Sequence, residues 1–161
     1  MPSFQTIGLN DIYNMSINEI NKHFKRIGKG SSRVVYAIDS MHVIKVAVNS
    51  YGNYQCRVEN HIYKHSGMRF KRYLCPVLWY KKGMIVMVRA VPYKKRYKGE
   101  HFNIENVRPD SECKKDIKDF CRRFDLFYND VRSPTSWGAI KGIPYLIDYG
   151  CTNSIFNEYY R

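Results

Sequence analysis

Ile143-Pro144-Tyr145-Leu146-Ile147-Asp148-Tyr149-Gly150 is an apolar run that breaks off at a carboxylate, an aromatic residue and a glycine. The run is short and bounded, as a buried strand is, and it leaves Asp148 at the strand end. Working back along the chain, Ser133-Pro134-Thr135-Ser136 cannot continue a helix through its proline, and Tyr128-Asn129-Asp130 ahead of it sets a second carboxylate on a loop. At the other end of the chain, a Gly28-Lys29-Gly30 turn opens a strand, Lys45 interrupts the apolar run Val43 to Val48, and Glu59 lies on a predicted helix. Glycine turn, strand lysine, helix glutamate, loop aspartate and strand-end aspartate follow one another in the order of a nucleotide-dependent phosphotransfer site.

The chain has 161 residues, 44% of them hydrophobic and 15% aromatic, which suits one folded domain. Its net charge is +13, and the charge is uneven: between Asn21 and Gly99 stand 18 lysines and arginines against two acids, Asp39 and Glu59. Basic runs at Arg69-Lys71-Arg72, Lys81-Lys82 and Lys94-Lys95-Arg96-Lys98 are interleaved with aromatic residues. That composition suits either a nucleic acid held through this basic lobe or an ordinary solvated face. The five cysteines (Cys56, Cys75, Cys113, Cys121, Cys151) are odd in number and show no paired spacing. With no basic start leading into an apolar run, the expectation is a cytoplasmic protein without a disulfide framework. No stretch approaches the ~20 apolar residues that cross a bilayer, so no membrane partner is expected.

Local patterns place the elements. Ser16-Ile17-Asn18-Glu19 is a capping box, and Ile17, Ile20, Phe24 and Ile27 recur at helical spacing, predicting a helix from about Ile17 to Arg26. Arg33 to Ile38 and Val43 to Val48 read as a hairpin. Asn53 to His65 reads as a helix with a Tyr54, Val58, Ile62 stripe and Glu59 at its edge. Val77 to Tyr80 and Met84 to Val88 complete a sheet of five or fewer strands. Tyr93 to Pro109 reads as a connector with few core residues. A helix capped by Asp110 or Ser111 follows, with Cys113, Ile117, Phe120, Cys121 and Phe124 on its apolar face. His61 and His65 share a helical face, but no third ligand is near, and a polar face is the expectation.

The chemistry follows from residue types. Gly28, Gly30 and Ser31 would let backbone N–H groups approach phosphate oxygens, although a bare glycine pair is more often only a hairpin turn, and Arg33 stands where a third glycine is usual. Lys45 in an apolar strand needs an anionic partner, unless it lies on a wet face. Glu59, on a helix placed across that strand, is such a partner and would hold the lysine toward phosphates. Asp130 would accept or orient the attacking hydroxyl, Asp148 would bind Mg²⁺, and Arg132 would neutralise charge on the transferring phosphoryl group.

Across Ile27 to Gly150 the chain resembles the protein kinase-like family, and most of all its short, divergent members in bacteria and their phages. Val43-Ile44-Lys45 matches the family's strand lysine, Glu59 its helix glutamate, Tyr128-Asn129-Asp130 its catalytic-loop triplet and Asp148-Tyr149-Gly150 its metal-binding triplet. The resemblance implies an α+β, minimal kinase-like fold in one domain: an antiparallel-sheet lobe with one main helix (1–91) and a truncated helical lobe (92–161). It implies ATP and Mg²⁺ as cofactors, Met87, Val88 and Arg89 as the hinge facing adenine, and Thr135 or Ser136 where the family's metal-holding asparagine stands. Tyr128 and Asn129 replace the family's His and Arg, and only Cys151 to Arg161 follow Gly150, which leaves out the peptide-holding helices. The implied activity is transfer of the γ-phosphate of ATP to a hydroxyl, of the serine/threonine kinase type. The alternatives are a pseudokinase-type protein that binds a partner protein or nucleic acid, and a small-molecule kinase. A partner or a second copy of the chain would cover the apolar surface that the missing helices normally bury.

Overall fold

A computed structural model describes residues 8–93, 103–108 and 112–159. The architecture is α+β. The described residues begin with two short helices, α1 (Leu9–Tyr13) and α2 (Ile17–His23). The capping box at Ser16 forms in both directions: Glu19 N–H donates to Ser16 Oγ at 3.2 Å, and Ser16 N–H donates to Glu19 Oε2 at 3.3 Å. The helix stops at His23, short of the predicted Arg26, because Phe24 turns to extended backbone and the next residues are drawn into the sheet.

Five antiparallel strands follow: β1 (Lys25–Lys29), β2 (Arg33–Ala37), β3 (His42–Ala47), β4 (Val77–Lys81) and β5 (Met84–Val88), in the spatial order β1-β2-β3-β5-β4. β3 lies at the centre and is covered on both faces, which is why its β-branched run is continuous rather than alternating. Ile44 and Val46 meet Ile12, Ile20, Val34 and Met84 under the N-terminal helices. Val43 faces the opposite way, toward a larger core that contains Cys56, Ile62, Ile85 and Met87.

α3 (Ser50–His65) packs on that second face. Its side-chain cap is Asn49, which accepts from Gly52 N–H at 3.1 Å. A Cβ on Gly52 would fall 2.1 Å from Ser32 O and 2.9 Å from Ala47 Cα, so the helix start lies backbone against backbone on the end of β3 and the residue that leads into β2. The inward face is not the expected Tyr54, Val58, Ile62 stripe. Gln55, Cys56, Glu59 and Ile62 are buried, while Tyr54 and Val58 are half-buried flanks, so Glu59 sits at the centre of the buried face, not at its edge.

α4 (Met68–Lys71) leads into β4. After β5 come β6 (Val91–Pro92), α5 (Ile104–Val107), α6 (Cys113–Phe124) and α7 (Tyr128–Val131), then β7 (Trp137–Ile140), β8 (Ile143–Leu146) and α8 (Asn153–Tyr159). β6, β7 and β8 form a second antiparallel sheet, so the second half carries strands as well as the expected helices. Of the expected connector, Tyr93, Ile104 and Val107 are buried in the larger core; 94–102 and 109 lie outside the described residues, as do the Asp110 and Ser111 caps and the Lys94 to Lys98 run. α6 is tied to α4 by Asp116, which accepts from Arg69 Nε, Arg72 and the Tyr73 hydroxyl, each at 2.7 Å. Arg69 and Arg72 of the basic run are therefore engaged within the protein. Among the described residues no helix is long and apolar enough to cross a membrane, and all five cysteines are free and buried.

Candidate functional site

Between the five-stranded sheet and the second half lies a cavity of about 960 Å³, bordered by Gly28, Gly30, Ser31, Lys45, Asp130 and Asp148. Lys45 reaches it from the middle of β3, where its side chain, 6% exposed, lies beneath the sheet and not on a wet face. Its Nζ donates to Glu59 Oε2 at 3.2 Å, to Asp148 Oδ1 at 2.8 Å and to the Ile147 carbonyl. Burial works against the charge, but Asp148 and Glu59 outweigh it and hold the ammonium above the ordinary lysine value.

Glu59 is fully buried and has three partners. Oε2 also accepts the Tyr149 N–H at 3.1 Å, and Oε1 accepts from the Arg33 guanidinium, whose other arm lies 3.3 Å from Asp148 Oδ1. Arg33 is the residue missing from the expected site. Its place at the strand start where a third glycine is usual is the only sign in the sequence, and only the tertiary fold brings it to Glu59.

The Asp148-Tyr149-Gly150 segment has a packing reason for each residue. Tyr149 is fully buried and donates its hydroxyl to Cys75 O at 2.8 Å. A Cβ on Gly150 would lie 2.6 Å from Gln55 O, so only glycine lets the chain rest against α3. Held on both sides, Asp148 stands at the cavity with its side chain 42% exposed. Burial alone would raise its pKa, but Lys45 and Arg33 hold the carboxyl below its ordinary value.

Asp130 lies on α7, a single turn pinned from below. Its carbonyl accepts from Ser136 Oγ at 2.7 Å, and Trp137 Nε1 donates to Val131 O at 2.9 Å. The carboxylate itself takes no hydrogen bond from any described residue. Burial first, and then the nearby Asp148, push its pKa up to about 6. An unbonded carboxylate at this value, open to a cavity, has the character of a general base.

Gly28 and Gly30 have no positive φ, and a Cβ on either would meet its nearest neighbour at 3.6 and 3.8 Å, ordinary contact distances. The fold does not itself require glycine there, and the missing side chains leave the cavity roof open to close approach. Met87 and Val88 border the cavity, whereas Arg89 is exposed and holds the β2–β3 turn, donating to Asp39 O at 2.9 Å. Val88 N–H is taken by Pro76 O and Arg89 N–H by Met41 O; the neighbouring Ala90 N–H, at the cavity, is bonded to no described residue. Arg132 is exposed, away from the cavity, over the ring of Tyr128.

The residues expected to hold Mg²⁺ do not fit it as a set. Ser136 is 2% exposed and donates its hydroxyl proton to Asp130 O; the Thr135 hydroxyl pairs with that of Ser133 at 2.9 Å. Asp148 Oδ1 carries two cations already. Among the described residues no group of three or more His, Cys, Asp or Glu is placed to hold a metal ion. A scan against protein-family models finds no match to the chain, and a search of curated proteins finds none either.

Proposed function

We propose that the chain is a minimal kinase-like fold and an ATP-dependent phosphotransferase acting on a serine or threonine hydroxyl. One observation carries this reading: a buried lysine–glutamate pair is fixed on a strand-end aspartate at a cavity into which a second, unbonded aspartate opens. Lys45 would hold the phosphates and Glu59 would fix Lys45. The Gly28 to Ser31 turn would close over the nucleotide, and Ala90, with Met87 and Val88 beside it, would face the base. In the transfer, the bond from the γ-phosphorus to the ADP oxygen breaks, the bond to the acceptor oxygen forms, and Asp130 takes the acceptor's proton. The order of elements and the Asp148-Tyr149-Gly150 segment support the family resemblance, and the free cysteines suit a reducing, cytoplasmic setting.

A second reading, a binding protein that no longer transfers phosphate, is favoured by the Arg33–Asp148 contact and by the engaged Ser136 hydroxyl. Its partner would be a protein or, through the basic lobe, a nucleic acid held in a salt-sensitive way. Incubation with γ-labelled ATP and a cell extract separates the two. Label transfer by the wild type that is lost in Asp130→Ala supports the kinase; equal label with both proteins, or none with either, overturns it.

A further inference from the structure

The sequence of glycine turn, lysine, glutamate and two aspartates has no use for Arg33, yet the fold builds it into the centre of the site. β2 pairs with β3 so that Val35 lies opposite Lys45 and Arg33 opposite Ala47. Arg33 is therefore one step along the same face of the sheet as Lys45. Gly30 N–H donates to Arg33 O at 2.8 Å, which closes the turn that aims the side chain inward. The residue is 8% exposed and borders the cavity.

Two cations and two carboxylates make up the cluster, so their charges cancel. Arg33 lies on Glu59 Oε1, Lys45 donates to Oε2 at 3.2 Å and more distantly to Oε1 at 3.5 Å, and the two cations share Asp148 Oδ1, at 3.3 and 2.8 Å. A divalent ion at Asp148 would face both cations at short range, whereas without Arg33 the same site would carry a net negative charge and attract it. The two carboxylates also differ in how firmly they hold. Glu59 is fully buried with three donors; Asp148 is partly open to the cavity. An anion entering the cavity would draw the two cations from Asp148 while Glu59 keeps its hold on both, because stripping a fully buried carboxylate of its partners costs far more.

Resting on the nucleotide-binding reading above, we propose that Arg33 and Lys45 together form the phosphate-binding pair of this chain, and that Arg33 supplies the positive charge a divalent metal would bring, so that a nucleoside triphosphate binds without metal. A guanidinium suits this role because it is permanently charged, and its planar fork can bond Glu59 on one side and a phosphate oxygen on the other.

Equilibrium dialysis of labelled ATP against the wild type, Arg33→Gly and Arg33→Lys, in EDTA and in MgCl₂, tests this. Wild-type affinity in EDTA should lie within about threefold of that in MgCl₂, because the charge is built in. Arg33→Gly should lose about tenfold or more in EDTA and regain part of it with Mg²⁺, the loss expected for one charged hydrogen bond. Arg33→Lys, which keeps the charge but not the fork, should fall between Arg33→Gly and the wild type in EDTA. ATP binding by the wild type that needs Mg²⁺, or Arg33→Gly binding that is unchanged in EDTA, overturns the inference and leaves nucleotide binding standing. No ATP binding in either buffer overturns both. Should Arg33→Gly fail to fold, the wild-type comparison between the two buffers decides alone.

Discussion

Asp130 is ionised at neutral pH in a place that disfavours its charge, so removing that charge should stabilise the protein while abolishing phosphate transfer. The perturbation is Asp130→Asn, which keeps the shape of the side chain. Its carboxyl is raised from 3.8 to about 6 by burial and by Asp148, with Glu59 adding to the effect and Arg33 partly offsetting it. Burial first, and then Asp130 itself, push the thiols of Cys121 and Cys151 up to about 12 and about 11, so both stay neutral. An acid whose pKa is raised on folding binds its proton more tightly in the folded state. Its contribution is therefore favourable when protonated, and wild-type stability falls as pH climbs from about 4 to 6. An interval of about two pH units corresponds to about 3 kcal/mol, and because Asp130 is only partly buried the expected gain is about 1–2 kcal/mol. For a chain of this size that is about 3–6 °C in Tm. Thermal unfolding of both proteins, followed by circular dichroism from pH 4 to 7.5, should show curves that coincide near pH 4, diverge between about pH 4 and 6 and stay apart above that, with the variant higher. A variant no more stable than wild type at pH 7.5, or one whose advantage persists unchanged at pH 4, would refute the reasoning.

Two further substitutions test the packing behind the site. Glu59→Gln leaves Arg33 and Lys45 with Asp148 as their only carboxylate, and breaking a buried ion cluster from one side should cost about 3–5 kcal/mol in urea unfolding; a loss below about 1 kcal/mol would mean that the cluster is not closed as described. Gly150→Ala would place a methyl 2.6 Å from Gln55 O and 3.0 Å from its Cα, both backbone atoms, so the segment must shift off α3. The expected cost is about 1–3 kcal/mol, read as a lowered urea midpoint, and an unchanged midpoint would show that the contact is loose.

Where hydrophobic pattern and burial agree, the sequence is a faithful guide. Met84 to Val88 and the run around Val43 are strands because both faces are covered, and their composition says so. β1 is hidden for the opposite reason: Lys25, Arg26 and Lys29 are exposed, and Ile27 falls at helical spacing from Ile20, so only pairing with β2 makes the segment a strand. β7 also escapes the sequence pattern, although its Lys141-Gly142 turn, with φ of 51° and 79°, is the left-handed pair that two-residue hairpins favour. α3 is legible as a helix but not in its orientation. An apolar stripe points to the core only when the core side is apolar, and here Gln55 and Glu59 take that side. Arg33 shows the limit most sharply, because no local pattern joins it to Glu59 or Asp148, both reached only through the fold.

Glu59 explains why the site and the fold stand or fall together. Lys45 belongs to β3, Arg33 to β2, and the Tyr149 N–H to the segment after β8, yet all three donate to one carboxylate on α3. Tyr149 then continues the connection through its hydroxyl to Cys75 O, next to the point where Leu146 N–H donates to Tyr73 O at 2.7 Å and joins the second sheet to the chain entering β4. A buried carboxylate without these donors would be costly, and without it Tyr149 N–H would lose its partner while Lys45 and Arg33 would be left to share Asp148. The halves of the protein are thus held together by the same bonds that set Lys45 and Asp148 at the cavity. A change that pulls α3 away from the sheet takes from Lys45, Arg33 and Tyr149 the one acceptor they share and from Gly150 the backbone it rests on, so a shift of this single helix would loosen the site from two sides.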